Sequence, residues 1–195
     1  MDRDLTATEM ERKILMEQFP LISRISDSNL RDLVIEVWVR LWRESPYGDI
    51  SEVPNFTREL SSGDETLVRH TDAVVKMSVA AAREFQEVYG VSLNYDNLLA
   101  GAILHDVDKL VLYGRQGDSV ELTELGHQVT HGEYGALVAK QVGLPEQVIN
   151  IIASHSVVKR ETLPASIEAA LVSCCDGAVF HAYRLMIGEE LWQKS

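Results

Sequence analysis

At 195 residues the chain is long enough for one domain that buries most of its apolar surface. Apolar residues at 46% and charged residues at 25% sit at globular averages, which excludes disordered, collagen-like and membrane-embedded classes. A formal charge of −12, without any cluster of basic residues, argues against nucleic acid or anionic lipid as a partner, because both require Lys and Arg set against phosphates.

The first residues, MDRDLTATEMERK, are charged from the second position and contain no apolar stretch of the secretory kind. The longest apolar run, LLAGAIL, is too short to cross a bilayer. Cys174 and Cys175 are adjacent, a spacing unsuited to an ordinary structural disulfide. These features predict a cytoplasmic protein.

The first strong helical period lies in SDSNLRDLVIEVWVRLWRESPYG. There Leu30, Leu33, Val34, Val37, Trp38, Leu41 and Trp42 form one apolar face, Asp27 or Ser28 caps the start, and Pro46 with Gly48 marks the stop. The Trp38 and Trp42 stripe reads as core or docking surface. DISEVPNFTREL has no period and reads as a connecting loop punctuated by SSGD, Ser61 to Asp64. A second helix is expected from Glu65 to Tyr89, ended by Gly90. Asp96 is the expected N-cap of a third, from Asn97 to Tyr113, closed by Gly114, with GRQGDS as a turn. Further helices are expected from Gly132 to Val142, from Pro145 to His155, and from Pro164 to Met186. The pattern predicts an all-α fold of about seven or eight helices around one core.

Into this apolar framework the chain places charges that need a reason. His105 and Asp106 close the most apolar helix, and Asp176 lies between Cys175 and Gly177 inside another. A buried carboxylate costs several kcal/mol unless it is paired or binds a metal. Imidazole nitrogen and carboxylate oxygen are the ligand set of divalent ions such as iron, manganese, nickel and zinc. One ion held by His70, His105, Asp106 and Asp176 would turn four core defects into one site.

The ordered string His70, His105 with Asp106, and Asp176 resembles the HD-domain superfamily of metal-dependent phosphohydrolases, whose fold is all-α. The resemblance runs from about Leu67 to Ala182. It implies an N-terminal helical extension over residues 1–60 packed on an HD domain over 61–195, with a buried metal site at the centre of the bundle. HGEYGA, from His131 to Ala136, looks like the HxxxGA element of many members, and SHS around His155 lies where they carry another ligand. Members with these extra histidines bind two metals, the HD aspartate bridging. By that resemblance His131 and His155 would complete a second divalent site, with Fe, Mn, Ni, Zn and Mg not distinguished. The chain departs from the subfamily form HDxGK by reading HDVDK, and it lacks both the GYP signature and the paired HH of cyclic-dinucleotide phosphodiesterases.

Two divalent ions against Asp106 and Asp176 leave an excess of about +2, enough to attract phosphate to an acidic protein, and they lower the pKa of bound water toward about 7. The expected chemistry is hydrolysis of a phosphomonoester or phosphodiester of a small molecule such as a nucleotide, by a metal-activated hydroxide. Asp106 and Lys109 are the expected catalytic residues. Lys109 either holds a phosphate oxygen or leaving group, or is a surface cation paired with Asp108 or Glu121. Asp108 is solvated or lies behind the ligands, with orientation of a ligand histidine as its other reading. His127 is expected in a loop and His181 in helix packing. Two other functions use the same ligands: a mixed-valent di-iron oxygenase of the same superfamily, and a non-catalytic metal-binding regulatory module. The expected partner is a small phosphorylated substrate, without nucleic acid or membrane, and a homodimer is compatible with the sequence.

Overall fold

The computed structural model describes residues 6–57, 64–117, 119–156 and 162–190. It is predominantly helical, as the periodicity requires. In chain order the helices are α1 (Glu9–Gln18), α2 (Ser28–Glu44), α3 (Leu67–Tyr89), α4 (Tyr95–Leu104), α5 (Lys109–Leu112), α6 (Glu124–Gln128), α7 (Glu133–Val142), α8 (Glu146–Ser154) and α9 (Ile167–Met186). Short 3-10 turns at Pro20–Arg24 and Ile50–Glu52 link the early elements.

The centre of the bundle is α4, in which every residue from Leu98 to Leu104 is buried. A helix apolar on all sides is stable only when neighbours cover all of it, and α2, α3, α8 and α9 pack around α4. Each fully buried Leu or Ile stabilises the fold by about 1.5–3 kcal/mol relative to exposure. Trp38, fully buried on α2, donates its indole N–H to the Ile103 carbonyl at 3.2 Å, which fixes α2 against the end of α4. Gly101 is where α8 comes closest, since a Cβ there would lie 2.5 Å from Ile151 Cγ2.

The structure differs from the sequence expectation at three places. The helix expected from Asn97 to Tyr113 is interrupted: α4 stops at Leu104, residues 105–108 form a turn, and α5 adds a single turn before the chain becomes extended. Bonds of the i to i−3 kind, from Val107 N to Leu104 O and from Lys109 N to Asp106 O, tighten this stretch. Three residues per turn instead of 3.6 rotate successive side chains by about 120°, so neighbouring residues address different partners. The N-cap of α4 is Asn94, not Asp96. Asp96 accepts hydrogen bonds from Ser26 N, Ser26 Oγ and Asp27 N at 2.7–2.9 Å, so it ties α4 to the start of α2. Finally, GRQGDS is the tip of a β-hairpin, β1 (Tyr113–Gln116) paired antiparallel with β2 (Ser119–Leu122), and not a simple turn. Period-two alternation is too short in each four-residue strand to stand out in sequence.

The segment expected as a loop after Gly48 is also ordered by pairing. Asn55 N donates to Glu65 O and Leu67 N to Val53 O, which lays residues 53–55 along the entrance to α3. Part of the SSGD punctuation lies outside the described residues, as do residues 157–161 and Asp118.

Candidate metal centre

Five elements deliver the site. Thr66 caps α3 through Arg69 N, and one turn in, His70 faces the core. The turn after α4 carries His105 and Asp106, His131 precedes α7, His155 follows α8, and Asp176 projects from the middle of α9. The structure thus brings together all six residues expected as ligands. Among the described residues they form two groups, His70, His105, Asp106 and Asp176 in one and Asp106, His131 and His155 in the other, whose donor atoms lie within 4.8 Å of one another.

The Asp106 carboxylate divides these groups. Its Oδ2 lies 3.4 Å from His70 Nε2 and 3.3 Å from His105 Nε2, with Asp176 Oδ1 3.0 Å from His70 Nε2 and 3.8 Å from His105 Nε2. Its Oδ1 lies 2.7 Å from His131 Nε2 and 3.3 Å from His155 Nε2. One carboxylate therefore offers one oxygen to each side.

The outward nitrogens of three rings settle what the inward ones present. His105 Nδ1 donates to Ala102 O at 2.7 Å, His155 Nδ1 to Ile152 O at 2.6 Å, and His131 Nδ1 to Asp108 Oδ1 at 2.9 Å. In the neutral tautomer each inward Nε2 then carries a lone pair, and three lone pairs converge on a carboxylate. His131 Nε2 and His155 Nε2 also face each other at 3.0 Å. Such an arrangement repels itself unless cations or protons fill the space between. Histidine ligands of metals hold their second nitrogen in this way, on a carbonyl or a carboxylate. The buried Nε2 of His105 has no hydrogen-bond partner among the described residues, as expected of a ligand atom. The residues therefore fit divalent ions in donor type, orientation and charge.

Electrostatics agree. Burial works against the charged form of Asp106, but the Lys109 ammonium, with His105 and His131, holds its carboxyl well below the ordinary range. Asp176 stays ionised to about 2, burial being outweighed by the His70 hydrogen bond and the neighbouring imidazoles. Burial pushes His70 below the usual imidazole value and so favours its neutral form. His131 is raised well above it despite burial, because Asp108 and Asp106 flank the ring. A proton and a metal ion thus compete for the same nitrogen.

Asp108 is fully buried, which excludes the solvated reading. Beyond His131 it accepts from Gly132 N at 2.7 Å and Gly135 N at 3.1 Å. The carboxylate thereby joins the turn after α4 to the first turn of α7 and aims the His131 ring. Gly132 permits this join: its φ of 86° suits glycine, and a Cβ would lie 3.0 Å from His155 Cε1. Lys109 is not a surface cation paired with Asp108 or Glu121. It is buried, and its Nζ donates to Asp106 Oδ2 at 2.6 Å and to Asn55 Oδ1 at 2.9 Å. Sequence reasoning missed Asn55, which sits in an aperiodic stretch with no motif to mark it. His127 lies in the short helix α6, not in a loop, and contributes no atom to either group.

Comparison with known proteins agrees with this geometry. The HD domain family model matches residues 67–178, which hold every residue of the two groups. The chain is also 32% identical over 167 residues to the dihydroneopterin 2',3'-cyclic phosphate phosphodiesterase of Methanocaldococcus jannaschii. That alignment covers 81% of this chain and 66% of the relative, slightly under two thirds of its length. No solved structure gave a significant match. Helical fold, ligand order and family match converge: the chain belongs to the HD domain family.

Proposed function

We propose that the protein is a metal-dependent phosphohydrolase cleaving a phosphomonoester or phosphodiester of a small molecule. In this reading His70, His105, Asp106 and Asp176 hold one divalent ion, and Asp106, His131 and His155 hold a second. The observation that carries it is the division of the Asp106 carboxylate, Oδ2 toward one group and Oδ1 toward the other. Two-metal sites of this kind clamp the attacking and leaving oxygens of a displacement at phosphorus.

Bound divalent ions supply Lewis acidity to a phosphoryl oxygen and acidify water. The chain supplies the rest. Asp106 and Asp176 return two negative charges, so the loaded site keeps a positive excess that favours a phosphate. Lys109 adds a fixed ammonium beside Asp106, placed to hold a nonbridging oxygen or to meet charge on the leaving group. Asp108 keeps His131 in one tautomer, and the Ala102 and Ile152 carbonyls do the same for His105 and His155. Residues 1–60 act as an extension whose α2 completes the core beneath this site.

The named activity of the archaeal relative supports hydrolysis over oxygenation, and a phosphodiester ahead of a monoester. The test is metal analysis of protein purified without chelator. A hydrolysis panel follows, with p-nitrophenyl phosphate, bis(p-nitrophenyl) phosphate and 2',3'-cyclic nucleotides, each with Mn, Fe, Ni, Zn or Mg. Metal-dependent release of product is expected. A loaded protein that hydrolyses nothing in the panel, but carries an iron-dependent visible band and consumes O₂, would replace this reading with the oxygenase.

A further inference from the structure

Asn55 lies outside the residues that match the family, in the stretch between Gly48 and α3, yet its side chain is fully buried against the site. Two backbone bonds hold this stretch in place, Asn55 N to Glu65 O at 2.9 Å and Leu67 N to Val53 O at 2.8 Å. Phe56, the next residue, sets its ring edge-on to His70 at 6.1 Å and lies 5.5 Å from Lys109 Nζ. The segment thus packs against His70 and Lys109.

The Asn55 amide is oriented at a cost. Its Oδ1 accepts from Lys109 Nζ at 2.9 Å, while its Nδ2, also buried, has no partner among the described residues. A buried unpaired donor is expensive, and a flipped amide would relieve nothing, because it would turn its N–H toward an ammonium. The orientation is therefore dictated by Lys109. An ammonium can otherwise swing on its four-carbon stem. Held between Asp106 Oδ2 and Asn55 Oδ1, it has two fixed acceptors on opposite elements of the chain.

We propose that Asn55 is a positioning residue of the site: it fixes the Lys109 ammonium beside Asp106. This rests on the reading of Lys109 as a substrate-facing cation, but the positioning can be measured without turnover. In lysine-selective NMR of the full chain, the Lys109 ammonium, identified by its loss in Lys109→Met, should exchange slowly with water. Asn55→Ala should speed that exchange about tenfold, as expected when one charge-assisted hydrogen bond is lost. Asn55→Asp, which keeps the acceptor, should stay near the native rate. With bis(p-nitrophenyl) phosphate, Asn55→Ala should lower kcat about tenfold with metal content unchanged. It should cost almost nothing further in a Lys109→Ala background, because coupled residues are not additive. Unchanged ammonium exchange in Asn55→Ala, or an equal loss of kcat with and without Lys109, overturns the proposal. Absence of all phosphoester hydrolysis in the native protein overturns the phosphohydrolase reading instead and leaves the NMR result to decide Asn55.

Discussion

The two halves of the site are built by different means. On the Asp106 Oδ2 side, His70, His105 and Asp176 project from α3, the end of α4 and α9, and the histidine side chains are at most 1% exposed. Their placement follows from helix packing around α4. On the Oδ1 side, His131 and His155 sit at helix ends, and the His131 side chain is 27% exposed. Hydrogen bonds that these rings donate to Asp108 and to a backbone carbonyl position them. Each half holds one ring on a carbonyl three residues back, His105 on Ala102 and His155 on Ile152, but only the second half hangs a part-exposed ring, His131, on a carboxylate from another element. The second half should therefore bind its ion more weakly and yield to smaller changes.

Asp106→Ala removes the carboxylate that serves both halves, so it should empty both and abolish hydrolysis. The loss should exceed the roughly 100-fold that removal of an outer partner costs, and elemental analysis with a turnover assay reads both effects. His131→Ala should break the symmetry: one ion per chain remains, hydrolysis falls sharply, and the ion on the Oδ2 side keeps its affinity. Two ions retained in that variant would sink the division of the site.

Asp108→Asn is the finer probe. An amide cannot accept from both His131 Nδ1 and the Gly132 and Gly135 N–H groups, so the ring loses its orientation or the start of α7 loses its anchor. The second ion should bind about 10–100-fold more weakly, with the first unaffected, in a metal titration. Gly101→Ala tests the packed side. A Cβ driven 2.5 Å from Ile151 Cγ2 wedges α4, which leads to His105, from α8, which leads to His155. A cost of about 1–3 kcal/mol is expected from thermal unfolding.

The smallest effect belongs to a control far from both halves. The Arg43 guanidinium and the Thr8 capping bonds hold Glu11 at about 2 against its ordinary 4.5. A carboxyl lowered on folding stabilises above its unfolded pKa and stops doing so as pH falls through the folded one. The gap in Tm between the native protein and Glu11→Gln should thus be full above about pH 4.5 and close toward pH 2. Metal content should not change.

Much of this was legible in the residues. The helix faces of α2 and α3 follow a 3.6-residue period, and Asp27 and Gly90 cap them where expected. Asp106 and Asp176 stood out because charge in an apolar helix demands a partner, whereas His131 and His155 were expected through the family resemblance. The strand pairing at Tyr113–Leu122 was not legible, since four-residue strands carry too little alternation. Nor was the break after Leu104, because α4 and α5 are apolar on both sides of it and no proline or glycine marks the turn.

The sequence by itself determined that this chain folds as a helical bundle and that it buries histidines and aspartates, because periodicity and the cost of buried charge act on residue type alone. Only the tertiary structure decided which atom faces which. It made Asp108 the holder of His131 and Asn55 the second acceptor of Lys109. These are contacts between elements 23 and 54 residues apart. Hydrogen bonds at such separations depend on the packing of whole helices, and no local pattern encodes them.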